Sequence, residues 1–220
     1  MRSGSGLRPP SIPKENRGDA MVKATRLHLL RHGQVEGFED KRYNGQGDVR
    51  LTDLGRQQSA AFAGRFQHLT LSGIYSSDLY RCRVAADQIA LLQAVEPEYR
   101  EELRELHIGE WQGKPWQQIQ REDPALWQAR LDDIVNIAPP GGESLLQLAQ
   151  RVRSALEQII TAHVGKEVVV VAHGGVNRVI LLDAIGAPLE RLFNIEQDFG
   201  CYNVIDYFSD GIAVVKKLNG

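Results

Sequence analysis

Two cysteines in 220 residues, Cys82 and Cys201, are too few for a disulfide framework, so a reducing cytoplasm is the expected location. Long apolar runs are absent as well. No stretch approaches the roughly 20 residues of a membrane span, and no membrane partner is expected. A surplus of either charge is missing too: 26 Lys and Arg stand against 28 Asp and Glu. Nucleic-acid domains usually carry a basic excess, so a general polyanion binder is excluded. No carboxylate cluster or Cys/His ligand spacing calls for a metal, and no cofactor is expected. Cys82 stands between Arg81 and Arg83, a setting that can lower a thiol's pKa, but a small buried packing residue is the plainer reading.

What is present suits one α/β domain of ordinary composition, 42% hydrophobic and 25% charged. Residues 1–20 hold Gly, Ser, Pro and mixed charge without an apolar period. They read as a disordered extension, a cloning remnant or an upstream start, with the domain proper over residues 21–220. The run Leu27-His28-Leu29-Leu30 reads as a short buried strand, and it stops at Arg31-His32-Gly33. In an open α/β sheet, ligands bind at the carboxyl ends of strands. Arg31 offers a planar fork of donors for phosphoryl oxygens, His32 a nitrogen able to attack phosphorus, and Gly33 a sharp turn close to a ligand. Alone, the triplet does not separate chemistry from a loop start. A second β-branched run, residues 168–172, also ends in His-Gly, at His173-Gly174. Two such strands suggest two imidazoles at one sheet edge.

This pair resembles the histidine phosphatase superfamily, the phosphoglycerate mutase-like fold, over residues 25–218. The resemblance implies a three-layer α/β/α domain: a mostly parallel open sheet, helices on both faces, and a small helical lid insertion over residues 114–138. Further matches follow along the chain. Leu51-Thr52-Asp53-Leu54-Gly55 opens a helix with Thr52 as N-cap, and Ala60, Ala61, Phe62 and Phe66 are its expected apolar positions. Ser76-Ser77-Asp78-Leu79-Tyr80-Arg81 is similar to the family's Ser-Ser-x-x-x-Arg, with Ser77 or Asp78 as helix cap. A cation so early in a helix is locally misplaced, which a bound anion would correct. Leu103-Arg104-Glu105-Leu106-His107-Ile108-Gly109 is similar to Leu-x-Glu-x-x-x-Gly, which puts Glu105 on the proton donor's position. His107 reads as a loop residue and Trp111 as packing. Trp116, Leu126, Trp127 and Leu131 are expected apolar contacts of the lid. Pro140-Gly141-Gly142-Glu143-Ser144 leads into a helix over residues 144–163; another is expected over 176–185, and a hairpin turning at Ser209-Asp210-Gly211 ends the chain. His68 and His163 read as solvated.

Two departures matter. The family's Arg-His-Gly-x-Ser/Thr-x-x-Asn is Arg-His-Gly with Val35 and Phe38 at the last two positions, so the usual Asn contact is missing. Arg42, Asn44 and Gly45 are loop candidates for contacts, with Asn44 the candidate replacement. The mutases' Trp-Arg-Arg is here Trp127-Gln128-Ala129-Arg130, which argues for hydrolysis over transfer. By resemblance the catalytic set is His32, Glu105 and His173, with the phosphate held by Arg31, Arg81, Asn44 and Gly174. The implied activity is phosphoric monoester hydrolysis through phosphohistidine on a small phosphorylated metabolite, by a monomer or homodimer. Asp198-Phe199-Gly200-Cys201 through Ile205-Asp206 is similar, with one extra residue, to α-ribazole phosphatases of cobalamin assembly. A mutase-like phosphotransferase and a non-catalytic phospho-ligand module are the competing readings.

Overall fold

The computed structural model describes residues 23–220; the expectations for residues 1–20 lie outside it. Six strands form one sheet in the order β3-β2-β4-β1-β5-β6. They are β1 (Ala24–Arg31), β2 (Leu71–Ser77), β3 (Pro97–Arg100), β4 (Glu167–Ala172), β5 (Tyr202–Phe208) and β6 (Ala213–Lys217). The first four neighbours, β3 to β1, run parallel; β5 pairs antiparallel with β1 on one side and with β6 on the other. The expected hairpin is thus present at the sheet edge.

The two-residue period of the strands divides the core. Leu27, Leu29, Val168 and Val170 pack under α5 (Leu145–Ala162) and α6 (Gly174–Ala184). Leu30, Val169 and Val171 pack under α1 (Asp53–Phe66) and α2 (Tyr80–Gln93). These strand residues are fully buried, each stabilising the fold by about 1.5–3 kcal/mol. An unbroken apolar strand needs cover on both faces, and the helices supply it. The expected three layers are therefore present, and no helix among the described residues is long and apolar enough to cross a membrane.

Caps fix where the helices start. Thr52 Oγ1 accepts the Gly55 N–H at 3.0 Å, and Ser144 with Gln147 forms a reciprocal capping box. Other local expectations are corrected. α2 is capped by neither Ser77 nor Asp78: Asp78 pairs with Arg104, and the Tyr80 N–H donates to Asp48. Ala60 and Ala61 are exposed, because the buried stripe of α1 runs Gly55, Ser59, Phe62, Phe66. The last long helix starts two residues early, at Gly174. His163 is not solvated; it is half-buried between Ser72 Oγ and Tyr75 Oη, each at 2.8 Å.

The lid segment forms α3 (Trp116–Glu122) and α4 (Pro124–Asp132). Its core is Ile119 against Ile108 and Trp111, with Tyr43, Leu126 and Trp127 packed around them. Leu131 is 59% exposed and is not a lid contact.

Gly33 is required by packing. A Cβ there would lie 2.2 Å from the Gly55 carbonyl oxygen, and one on Gly55 would lie 2.0 Å from that of Gln34. Backbone meets backbone where the β1 exit crosses the start of α1. We expect Gly55→Ala to cost about 1–3 kcal/mol, read as a lowered denaturation midpoint. An unchanged midpoint would contradict this account of the crossing.

A candidate active site at the ends of the two central strands

β1 and β4 lie side by side, and the chain leaves them toward opposite faces, into α1 and α6. Such a reversal opens a crevice at the strands' carboxyl ends. His32 and His173 occupy its two sides with ring centroids 5.1 Å apart. The His32 N–H donates to the Ala172 carbonyl at 3.1 Å, locking the two strand ends together. The prediction of two imidazoles at one edge is met.

His32 has a defined tautomer. Nδ1 lies 2.8 Å from the Gly33 carbonyl oxygen, which only accepts, so Nδ1 carries the proton. Nε2 is left as a lone pair, with no partner among the described residues. Burial, then the Arg81 and Arg31 cations, hold the imidazole well below its ordinary pKa. The ring is tethered and kept neutral, with one nitrogen free.

Arg81 is 2% exposed. It donates to the carbonyls of Gly45 and Gly47, each at 2.7 Å, and through Nε to His173 Nδ1 at a longer 3.3 Å. His173 Nε2 therefore carries its proton and donates to Ser77 Oγ at 2.9 Å. Donation by His173 to a ligand requires exchange of one of these partners. Arg31 donates to the Gln197 carbonyl, stacks 4.0 Å over the Phe199 ring, and has a buried Nε without a partner. Among the described residues neither guanidinium meets a carboxylate. One buried and one half-buried cation, neither in an ion pair, suit an anionic ligand.

Glu105 comes from the loop after β3. Its oxygens accept the N–H of Leu106 at 2.9 Å and of Gly175, in the first turn of α6, at 3.1 Å. A Cβ on Gly175 would stand 2.4 Å from Glu105 Oε1, so the second glycine of His173-Gly174-Gly175 makes room for the acid. The loop is clamped by Arg151, which donates to the carbonyls of Glu102, Arg104 and Glu105 and pairs with Glu143.

The remaining candidates divide. Asn44 is half-buried with Oδ1 buried and unpartnered, directly before Gly45 of Arg81's carbonyl clasp. Gly174 lies against Arg31: a Cβ there would stand 3.4 Å from its Cζ. Gly45 enters through its carbonyl, as Arg81's acceptor. Arg42 does not join; it pairs with Asp40 at the surface. Cys82 is inert, its thiol pushed up to about 12 by burial despite Arg81. Ser77, Arg151 and Gln197 were not among the sequence candidates, because each acts through a carbonyl or a neighbour's ring. Only Ser77 stood within a recognised motif.

Residues 27–219 match the family model described as histidine phosphatase superfamily (branch 1). A bifunctional protein of Mycobacterium tuberculosis is 33% identical over 196 residues, which are 89% of this chain and 54% of the relative. The chain thus spans about half the length of that relative. A metal-independent phosphoserine phosphatase of Arabidopsis thaliana is 37% identical over 73% of this chain and 68% of its own. The crystal structure of the alpha-ribazole phosphatase from Shigella flexneri superposes with a TM-score of 0.82 at 25% identity, covering 89% of this chain and 96% of that one.

Burial lowers both site histidines well below their ordinary pKa, so the unfolded chain binds their protons first as pH falls. Their stabilisation is present above about pH 6.5 and is lost below it, by up to about 1.4 kcal/mol per pH unit for each ring. Urea midpoints between about pH 7.5 and 5.5 should fall accordingly, and His173→Asn should show a shallower fall. A wild-type slope in that variant would contradict the assignment.

Proposed function

The chain belongs to the histidine phosphatase superfamily, and on that premise we propose that it is a metal-independent phosphomonoesterase that turns over a small phosphorylated metabolite through phosphohistidine. The observation that carries the reading is His32: a neutral imidazole with its free Nε2 beside two guanidiniums, one buried and one half-buried, that make no ion pair. Arg31 and Arg81 bind the phosphoryl oxygens and spread the charge that grows on them. Asn44 and the Gly174 backbone complete the cradle. His32 Nε2 forms the bond to phosphorus as the bond to the leaving oxygen breaks, and Glu105 delivers a proton to that oxygen. Water then attacks phosphorus, Glu105 takes the water's proton, and the N–P electron pair returns to Nε2. His173 holds Arg81 in line and exchanges Ser77 for a phosphoryl oxygen when the anion arrives.

Hydrolysis is favoured over transfer to a second phosphorylated site by Arg130. It is 5% exposed, donates to the Ile137 carbonyl at 2.5 Å, and is built into the lid instead of facing a ligand. Our substrate proposal is α-ribazole 5′-phosphate. Its support is the 198–206 segment together with the likeness to the Shigella flexneri enzyme. The deciding assay compares kcat/KM for α-ribazole 5′-phosphate and p-nitrophenyl phosphate in EDTA. A preference above about a hundredfold, near 3 kcal/mol, is expected for a pocket shaped to the nucleotide precursor. Comparable rates on both would discard that substrate, and no hydrolysis of either would discard the phosphatase reading.

Glu105→Gln should slow alkyl phosphates at least about tenfold more than p-nitrophenyl phosphate, whose leaving group needs no acid. Equal slowing of both would remove Glu105 from that role.

A further inference from the structure

The segment between the short helical turn Leu189–Asn194 and β5 drew attention in the sequence through its resemblance, without a chemical role. The phosphatase mechanism does not use it either. Yet almost everything that holds Arg31 comes from it. The Arg31 N–H donates to the Cys201 carbonyl at 3.1 Å, its guanidinium to the Gln197 carbonyl, and the Phe199 ring lies 4.0 Å beneath it. The Gly200 N–H returns to the His32 carbonyl at 3.0 Å.

An irregular segment can aim a guanidinium only if it is itself fixed. A buried set of amides does this. Gln197, 2% exposed, and Asn203, fully buried, pair in both directions: Gln197 Nε2 donates to Asn203 Oδ1 at 2.8 Å, and Asn203 Nδ2 donates to Gln197 Oε1 at 2.9 Å. Asn177 of α6 adds a donor to Gln197 Oε1 at 3.2 Å. Asn203 reaches β1 by donating to the Leu29 carbonyl at 3.1 Å, and the Asn219 N–H donates to Asn203 Oδ1 at 2.8 Å. The circuit runs from Leu29 through Asn203 and Gln197 to Arg31, two residues further along the same strand.

Burying three side-chain amides costs more than packing apolar side chains, and the Asn177 Oδ1 is left without a partner, so their presence in the core points to geometry more than stability. Their neutrality matters as much. A carboxylate would aim Arg31 equally well and cancel the charge a phosphoryl group needs. Amides and a backbone carbonyl fix the direction and leave the cation free.

We propose that the amides of Gln197 and Asn203 form an uncharged bracket for Arg31 and act as positioning residues that set its grip on the phosphoryl group. The one carboxylate within residues 197–203, Asp198, accepts from Asn219 Nδ2 at 2.9 Å and makes no ion pair with Arg31. This rests on the reading of Arg31 as a phosphate ligand. The test measures binding of inorganic phosphate by titration calorimetry to the wild type, Gln197→Met, Arg31→Ala and the double variant, with thermal melts as the folding check. Gln197→Met, which keeps the volume and the backbone carbonyl but removes the side-chain amide that anchors it, should weaken phosphate about tenfold. In the Arg31→Ala background the same change should weaken it no further, because the two act as one unit. A phosphate affinity within twofold of wild type in Gln197→Met, or an equal loss with and without Arg31, would overturn the proposal. Should Gln197→Met fail to melt cooperatively, Phe199→Leu removes the half-buried platform and must show the same dependence on Arg31. Because the readout is anion binding, a chain that binds phosphate through Arg31 yet hydrolyses no ester would sink the phosphatase reading and not this one.

Discussion

Two positive charges drawn out of water without an ion pair are the constraint on which the rest of the structure depends. Arg81 is buried and Arg31 half-buried beside two imidazoles, and among the described residues no carboxylate pairs with either, although the charge of Glu105 reaches both. Desolvating a cation costs several kcal/mol. The protein offsets this with carbonyl dipoles: those of Gly45 and Gly47 for Arg81, and that of Gln197 for Arg31. Partial charges hold the guanidiniums in place but do not satisfy them as an anion would. The same cations, together with burial, keep His32 and His173 neutral, which a nucleophilic nitrogen requires. Binding power and nucleophile therefore arise from one electrostatic arrangement.

The fold makes that arrangement affordable to build. Parallel β1 and β4 bring two strand ends within one hydrogen bond, and their exits to opposite faces open the crevice. α2 delivers Arg81 from one face and α6 delivers the Glu105 contact from the other. The acid is held apart from the cations' first partners, by Leu106 and Gly175 N–H groups and by the Arg151 clamp behind it. Each member of the site thus has its own anchor in the scaffold.

How much of this was legible in the sequence follows from the range of the interactions. β1 and β4 are apolar runs ended by His-Gly, and their burial pattern is local, so the sheet centre and both imidazoles could be read directly. Arg81 betrayed itself as a cation at the wrong end of a helix. Glu105 had no local signal: among many acids only the resemblance singled it out. Arg151 and Gln197 could not be read at all, because Arg151 donates to backbone carbonyls roughly 50 residues away and Gln197 offers its own carbonyl to Arg31 roughly 170 residues away in the chain. For Gly33 a packing reason was hidden: the Gly55 backbone across the crossing is a contact that exists only after folding. The capping of α2 failed similarly, since Arg104 had claimed Asp78.

The central claim is that His32 Nε2, held neutral and aimed by the Gly33 carbonyl, becomes covalently bonded to phosphorus. A single-turnover experiment with a labelled phosphomonoester, quenched in base to preserve phosphohistidine and mapped by peptide mass, tests this most directly. The account predicts label on His32 in the wild type, more of it in Glu105→Gln, where release is slowed, and none in His32→Asn. Hydrolysis proceeding with no label on His32, or with label on His173 instead, would contradict it.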